Sequence, residues 1–167
     1  MRKFPLVLAL VASATLLVAC GKAGPAEPTA AATKAAAVAD STLPKMIAYR
    51  SPTCGCCELW VEHMRAAGFD VTVETTDEVH AVKVKAGVPP GGGSCHTALV
   101  AGYFVEGHVP ASDVRRLLET KPDALGLTVP GMVVGSPGME QGGAGRPYDV
   151  LLVARDGTTS VFSHHEP

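Results

Sequence analysis

Apolar and polar positions alternate, cluster and break along this chain in patterns that set out most of its elements. A mostly apolar stretch from Phe4 to Ala19 follows the basic pair Arg2 and Lys3. It is too short to span a bilayer comfortably, and no polar stripe gives it the second face of a surface helix, so it predicts an export signal over 1–19. "KMIAYRS", bounded by Pro44 and Pro52, suits a short buried strand. "CCELWVEHMRAAG" spaces Trp60, Met64 and Ala67 as a helix does, with Gly68 as its stop signal. "FDVTVETT" alternates Phe69, Val71 and Val73 with polar neighbours, which is strand chemistry. "DEVHAVKVKAG" opens with acids and closes with Lys85 and Gly87, so its ends as well as its pattern predict a helix. "HTALVAGYFVEG" reads as two short strands around Gly102, and "PASDVRRLLETKP" as a helix capped at or near Ser112 and ended before Pro122. "VPGMVVGSPGME" is a Pro/Gly/Met loop, and "YDVLLVARDGTTSVF" a hairpin turning at Asp156–Gly157, expected against a sheet edge.

The order strand–helix–strand–helix–strand–strand–helix matches an α/β thioredoxin-like layout, βαβαββα, with an added C-terminal loop and β-hairpin. That domain is expected over 43–167, long enough for a real core. Residues 20–42, rich in Ala, Pro and Thr, cannot bury enough apolar surface to offset ordering entropy and predict a flexible tether. The signal ends in "LLVAC", which resembles the bacterial lipoprotein lipobox, with Cys20 as the lipidated residue. Acyl chains, at about 0.8 kcal/mol per buried methylene, would anchor the protein to a membrane without a spanning helix. Gly21 rather than Asp after that cysteine favours the outer over the inner membrane, with the domain facing the periplasm. Net charge is −2 and the basic residues are not clustered, which argues against nucleic acid as a partner.

Chemistry concentrates in "SPTCGCC". Cys54 and Cys57 form a CxxC and Cys54 and Cys56 a CxC, where the first helix opens. Unpaired N–H groups and the helix dipole favour a thiolate there, and a thiolate is both nucleophile and metal ligand, so position alone does not choose between redox and metal. The third thiol leans toward metal, because an extra neighbour invites misbridging in a plain oxidoreductase but serves a soft ion or a sulfur-bridged cluster. In thioredoxin-like folds a cis-proline precedes the third strand; Cys95, His96 and Thr97 occupy that place here. The layout therefore sets Cys95 and His96 beside Cys54, Cys56 and Cys57. Two structural disulfides are the alternative, although adjacent Cys56 and Cys57 are awkward partners for each other. Four thiolates near imidazole and thioether suit Cu(I) or Zn(II), and Met132 and Met139 in the mobile-looking loop are available thioethers. His108 reads as a turn histidine; His63 and His80 read as solvated helix faces; His164 and His165 could scavenge metal non-specifically.

Three stretches, "SPTCGCC..WVEHM.AAGF", "GVPP…SCHTALVAGYFVEGHVPA" and "GL.VPGM..GSPGME…YDVLL", resemble in order the CopG-type copper-resistance proteins of bacterial envelopes, across nearly all of 46–162. The resemblance implies a thioredoxin-like fold, copper as the bound metal on Cys54, Cys56, Cys57 and Cys95 with His96, Met132 and Met139 as additions, and a multinuclear thiolate-bridged Cu(I) cluster. It also implies interconversion of Cu(I) and Cu(II), with copper-export or copper-chaperone proteins as partners. An envelope thiol–disulfide oxidoreductase is the competing reading, and a redox-silent structural zinc module, unfolded by chelation, is the third.

Overall fold

The computed structural model describes residues 43–166, so the expected signal, Cys20 and the whole tether lie outside the described residues. A single sheet carries β1 (Met46–Arg50), β2 (Val71–Thr75), β3 (Thr97–Val100), β4 (Tyr103–Glu106), β5 (Ala124–Thr128), β6 (Tyr148–Ala154) and β7 (Thr159–His165) in the order β2-β1-β3-β4-β5-β6-β7. β1 runs parallel to β2 and antiparallel to β3; β3–β4, β5–β6 and β6–β7 are antiparallel, and β4–β5 is parallel. Helix α1 (Gly55–Ala66) joins β1 to β2, α2 (Val79–Ala86) joins β2 to β3, and α3 (Ala111–Thr120) joins β4 to β5.

The period-two pattern decides which side of the sheet is filled. Met46 and Ala48 of β1 are buried while Ile47 between them is exposed. Those inward residues meet Ala98, Val100, Val105 and Leu127 from the sheet, Trp60, Val61 and Met64 from α1, and Val114 and Leu117 from α3 in one core. Helix α2 borders the opposite face, where Val82 and Ala86 share a cleft with Ile47, Tyr49 and Leu99. The β3–β4 turn is Ala101–Gly102, both left-handed (φ 48° and 84°), as a two-residue hairpin requires.

One element is added to the expected order and one boundary is refined. The strand β5 has no counterpart in the pattern reading, and it is β5 that receives the C-terminal hairpin through β6. Helix α3 begins at Ala111 with Pro110 as its N-cap (φ −61°, no side-chain cap), close to the expected Ser112, which lies exposed within the first turn. Pro110 is pre-set for helix entry, and Asp113 supplies the favourable negative charge near the start.

Candidate metal centre

The first turn of α1 and the end of the glycine run before β3 meet at four sulfurs. Cys54 is the N-cap of α1, in extended backbone, and its N–H donates to the Ser51 carbonyl (3.2 Å). Cys57, one turn in, is fully buried, and a disulfide joins it to Cys54. Cys56 and Cys95 are free and half-buried. Cys56 Sγ lies 3.6 Å from Cys54 Sγ, and the sulfurs of Cys54, Cys56, Cys57 and Cys95 all lie within 4.8 Å of one another. The one expected arrangement thus contains a disulfide and a thiol cluster at once, and Cys56 escapes bridging to its neighbour Cys57.

Cys95 also belongs to a second group. Its Sγ is 3.3 Å from His96 Nδ1 and 3.1 Å from His108 Nε2. His108 Nδ1 lies 2.7 Å from the Pro137 carbonyl, which can only accept. Nδ1 therefore carries the proton and Nε2 turns its lone pair to Cys95, the orientation a backbone carbonyl gives a metal-ligating histidine. Burial holds His108 below the usual histidine range against the opposing pull of Pro137. His96 is pushed well below that range by burial first, then by His108 and Lys83, while the Gly107 backbone pulls weakly the other way. Only 1% of His96 is exposed, its Nε2 makes no hydrogen bond among the described residues, and its ring lies 4.4 Å from that of Trp60 and 5.1 Å from that of His108. A buried ring nitrogen left without a partner is costly unless something fills the position. Trp60 is itself fixed by an indole N–H bond to the Val109 carbonyl (2.9 Å).

The Pro/Gly/Met loop closes over this corner. Gly138, at φ +83°, sits so close to α1 that a Cβ there would fall 2.9 Å from the Cys56 carbonyl oxygen and 2.8 Å from Trp60 N. Met139 is half-buried beside it, its N–H bonded to the Ser136 carbonyl (2.8 Å). Met132 is 52% exposed on the loop's outer side. His108 lies in the bend between β4 and α3, as the pattern reading expects, but it is buried and groups with Cys95 and His96, a role that reading did not favour. His63 is likewise not simply solvated, since its Nε2 accepts the Ala111 N–H at the start of α3 (3.1 Å) and burial lowers its pKa. His80 is exposed on α2 as expected. His164 pairs with Asp149 and Glu166, and His165 with Asp113, all away from the sulfurs in sequence and on the β6–β7 hairpin side.

Burial, and next to it the Cys56 thiol, push the Cys95 thiol up to about 11 from an ordinary 9.0. A group whose pKa rises on folding contributes stability below its unfolded value and loses it as pH rises through the folded one. The metal-free protein should therefore lose stability between pH 9 and about 11. Thermal melts across that window are expected to fall for the native chain and to fall less for Cys95→Ser; equal slopes would refute the assignment.

Two free thiols, two neutral imidazoles and a disulfide that adds two thiols on reduction are soft and borderline donors. They fit Cu(I) or Zn(II) and not a hard, oxygen-seeking ion.

A family model described as a protein of unknown function, DUF411, matches residues 92–139, the stretch from the glycine run to Met139. No curated protein matches the chain. Two solved structures, titled copper resistance protein copG, form 2 and form 1, are each 44% identical to it, with TM-scores of 0.71 and 0.70. The alignments cover 74% and 75% of this chain and 99% of each of those chains. An α/β protein with a cysteine-rich corner of soft donors is the class defined by fold and site. The chain belongs to the CopG family of copper resistance proteins.

Proposed function

We propose that this protein is an envelope copper-binding protein of copper resistance that holds Cu(I) as a multinuclear, thiolate-bridged cluster. The observation that carries the reading is the sharing of Cys95 between a four-sulfur group and a His96–His108 pair, with His96 Nε2 unpartnered among the described residues. Cys54, Cys56, Cys57 and Cys95 would hold copper through sulfur when reduced, with His96 and His108 offering nitrogen and Met139 and Met132 thioether from the loop. The β2-β1-β3-β4 half, with α1 opening on the CxxC, is read as thioredoxin-like.

Reduced Cys54 and Cys57 can each pass one electron to a Cu(II) ion and release one proton, which yields two Cu(I) ions and the Cys54–Cys57 bond. Cys56 and Cys95 then remain as thiolates to keep the product, and an envelope dithiol restores the pair. The chain would work from a membrane through a lipidated Cys20, on the periplasmic side and at the outer membrane in preference to the inner, and pass copper to export or chaperone proteins. A thiol–disulfide oxidoreductase is the second reading, favoured by the Cys54–Cys57 disulfide at a helix N-terminus.

Anaerobic titration of the reduced protein with Cu(I), followed by native mass spectrometry, separates them. Several copper ions per chain, bound as one cooperative species that Cys56→Ser destroys, is the expected result. Weak copper binding with rapid disulfide exchange that survives Cys56→Ser would replace it with the second reading.

A further inference from the structure

A carboxylate sits where the hairpin pattern calls for an apolar residue. Glu106, the last residue of β4, is 0% exposed, and such burial of an acid is rare unless it is paired and bonded. Its Oε1 accepts the Ser94 backbone N–H (2.5 Å) and the Lys83 ammonium (2.6 Å), and its Oε2 accepts the Thr97 hydroxyl (2.7 Å). Lys83, reaching in from α2 and only 14% exposed, also donates to the Thr97 oxygen (3.1 Å). Thr97 faces Glu106 across the β3–β4 ladder.

What this network grips is the residue before Cys95. The chain enters β3 through Pro89-Pro90-Gly91-Gly92-Gly93-Ser94, in which the three glycines next to Ser94 have no preferred conformation of their own. Other ties hold its outer part: Thr128 Oγ1 donates to the Gly92 carbonyl (2.5 Å), Gly131 N–H to the Gly93 carbonyl (2.9 Å), and the Ser94 hydroxyl to the Gly131 carbonyl. The Ser94 hydroxyl also reaches Cys95 Sγ (3.9 Å), and the Ser94 N–H goes to Glu106 alone among the described residues.

We propose that Glu106, neutralised by Lys83, is the positioning residue of the metal centre: it pins Ser94 N–H and so fixes Cys95 Sγ at the vertex shared by the sulfur and imidazole groups. A donor held in place before metal arrives spares the cost of ordering a glycine-rich segment on binding, so Glu106 acts on affinity without touching metal. The affinity part rests on the copper reading above; the fixing of Ser94 does not.

Hydrogen exchange in the metal-free native protein tests the grip first. The Ser94 amide is expected to exchange at least about 100-fold more slowly than in an unstructured peptide, and less than about tenfold protection overturns the proposal. The double variant Glu106→Leu with Lys83→Met then removes both charges together, so that no lone buried charge remains to unfold it. It is expected to keep its fold by circular dichroism, lose Ser94 protection, and bind Cu(I) roughly 10–100-fold more weakly in competition with a chromophoric chelator. A folded double variant with native Cu(I) affinity overturns the proposal.

Glu106→Gln keeps an oxygen for Ser94 N–H. It should hold Cu(I) affinity within about threefold and retain the protected amide, as a fixed acceptor and not a charge is what matters. A loss as large as the double variant's assigns the effect to charge and overturns positioning. If the double variant does not fold, the native Ser94 exchange and Glu106→Gln decide. If the native protein itself fails to take up Cu(I), the copper reading falls, and Ser94 exchange still decides the grip.

Discussion

Cys95→Ser should weaken Cu(I) binding by more than roughly 100-fold, beyond the 10–100-fold typical of a lost supporting residue. The expectation follows from its place at the vertex of both groups. Loss of Cys56 leaves the Cys95–His96–His108 trio intact, and loss of His108 leaves the four sulfurs. Loss of Cys95 breaks both at once, and a serine hydroxyl is a hard donor that Cu(I) does not replace it with. Competition with a chromophoric Cu(I) chelator measures the effect, with His80→Ala, exposed on α2, as the unchanged control. Cys95→Ser affinity within about threefold of native would mean that the two groups function separately, and the proposed cluster would have to be redrawn without it.

Gly126→Ala carries the largest expected loss of stability. Gly126 lies opposite Phe104 in the parallel β4–β5 pair, and a Cβ there would fall 2.1 Å from the Phe104 carbonyl oxygen and 2.8 Å from its ring. Neither atom can yield, since one is backbone and the other belongs to a buried ring. The strand must shift, at a cost of about 3 kcal/mol or more, which corresponds to roughly 10 °C or more in the melting midpoint of a domain this size. Gly55→Ala is the matched comparison. A Cβ there meets nothing within 4 Å, and alanine at the head of α1 is neutral or mildly stabilising. Equal midpoints for the two variants would contradict the β4–β5 register.

That same glycine explains what the pattern of residues could not reveal. "DALGLTV" is short, and Gly126 interrupts it at the position where an alternation would have been recognised, so β5 left no period to read. β5 is nevertheless the strand that lets the hairpin join the sheet. Segments with an unbroken period or a clear turn gave themselves away: α1 through Trp60 and Met64, β2, no longer than β5, through Phe69, Val71 and Val73, the C-terminal hairpin through Asp156–Gly157. The start of α3 was shifted because Ser112 is a good cap by chemistry, while Pro110 turns the chain two residues earlier by geometry.

The thiol cluster was legible because four cysteines, with the helix start and strand start between them, admit few arrangements. His108 was legible too, through a route not taken. A hairpin turning at Ala101–Gly102 pairs Val100 with Tyr103 and Thr97 with Glu106, and two more steps along that register set Cys95 opposite His108. Read as the residue between a strand and a helix it looked idle; read as a cross-strand partner it falls beside a thiol. Glu106 had a weaker signal, an acid in the run "YFVEG", whose meaning depends on Lys83 arriving from α2, and no local pattern encodes that.

The tilted contact of Trp60 with His96 gives this molecule an optical gauge of its own. The chain has one tryptophan, and its ring stands beside the imidazole whose Nε2 is unpartnered among the described residues. All of the indole emission therefore originates next to the place where an ion would sit, with no second fluorophore of that kind to dilute it. Ion uptake beside the indole is expected to change the emission of the unlabelled protein, in the native chain and in variants that keep Trp60.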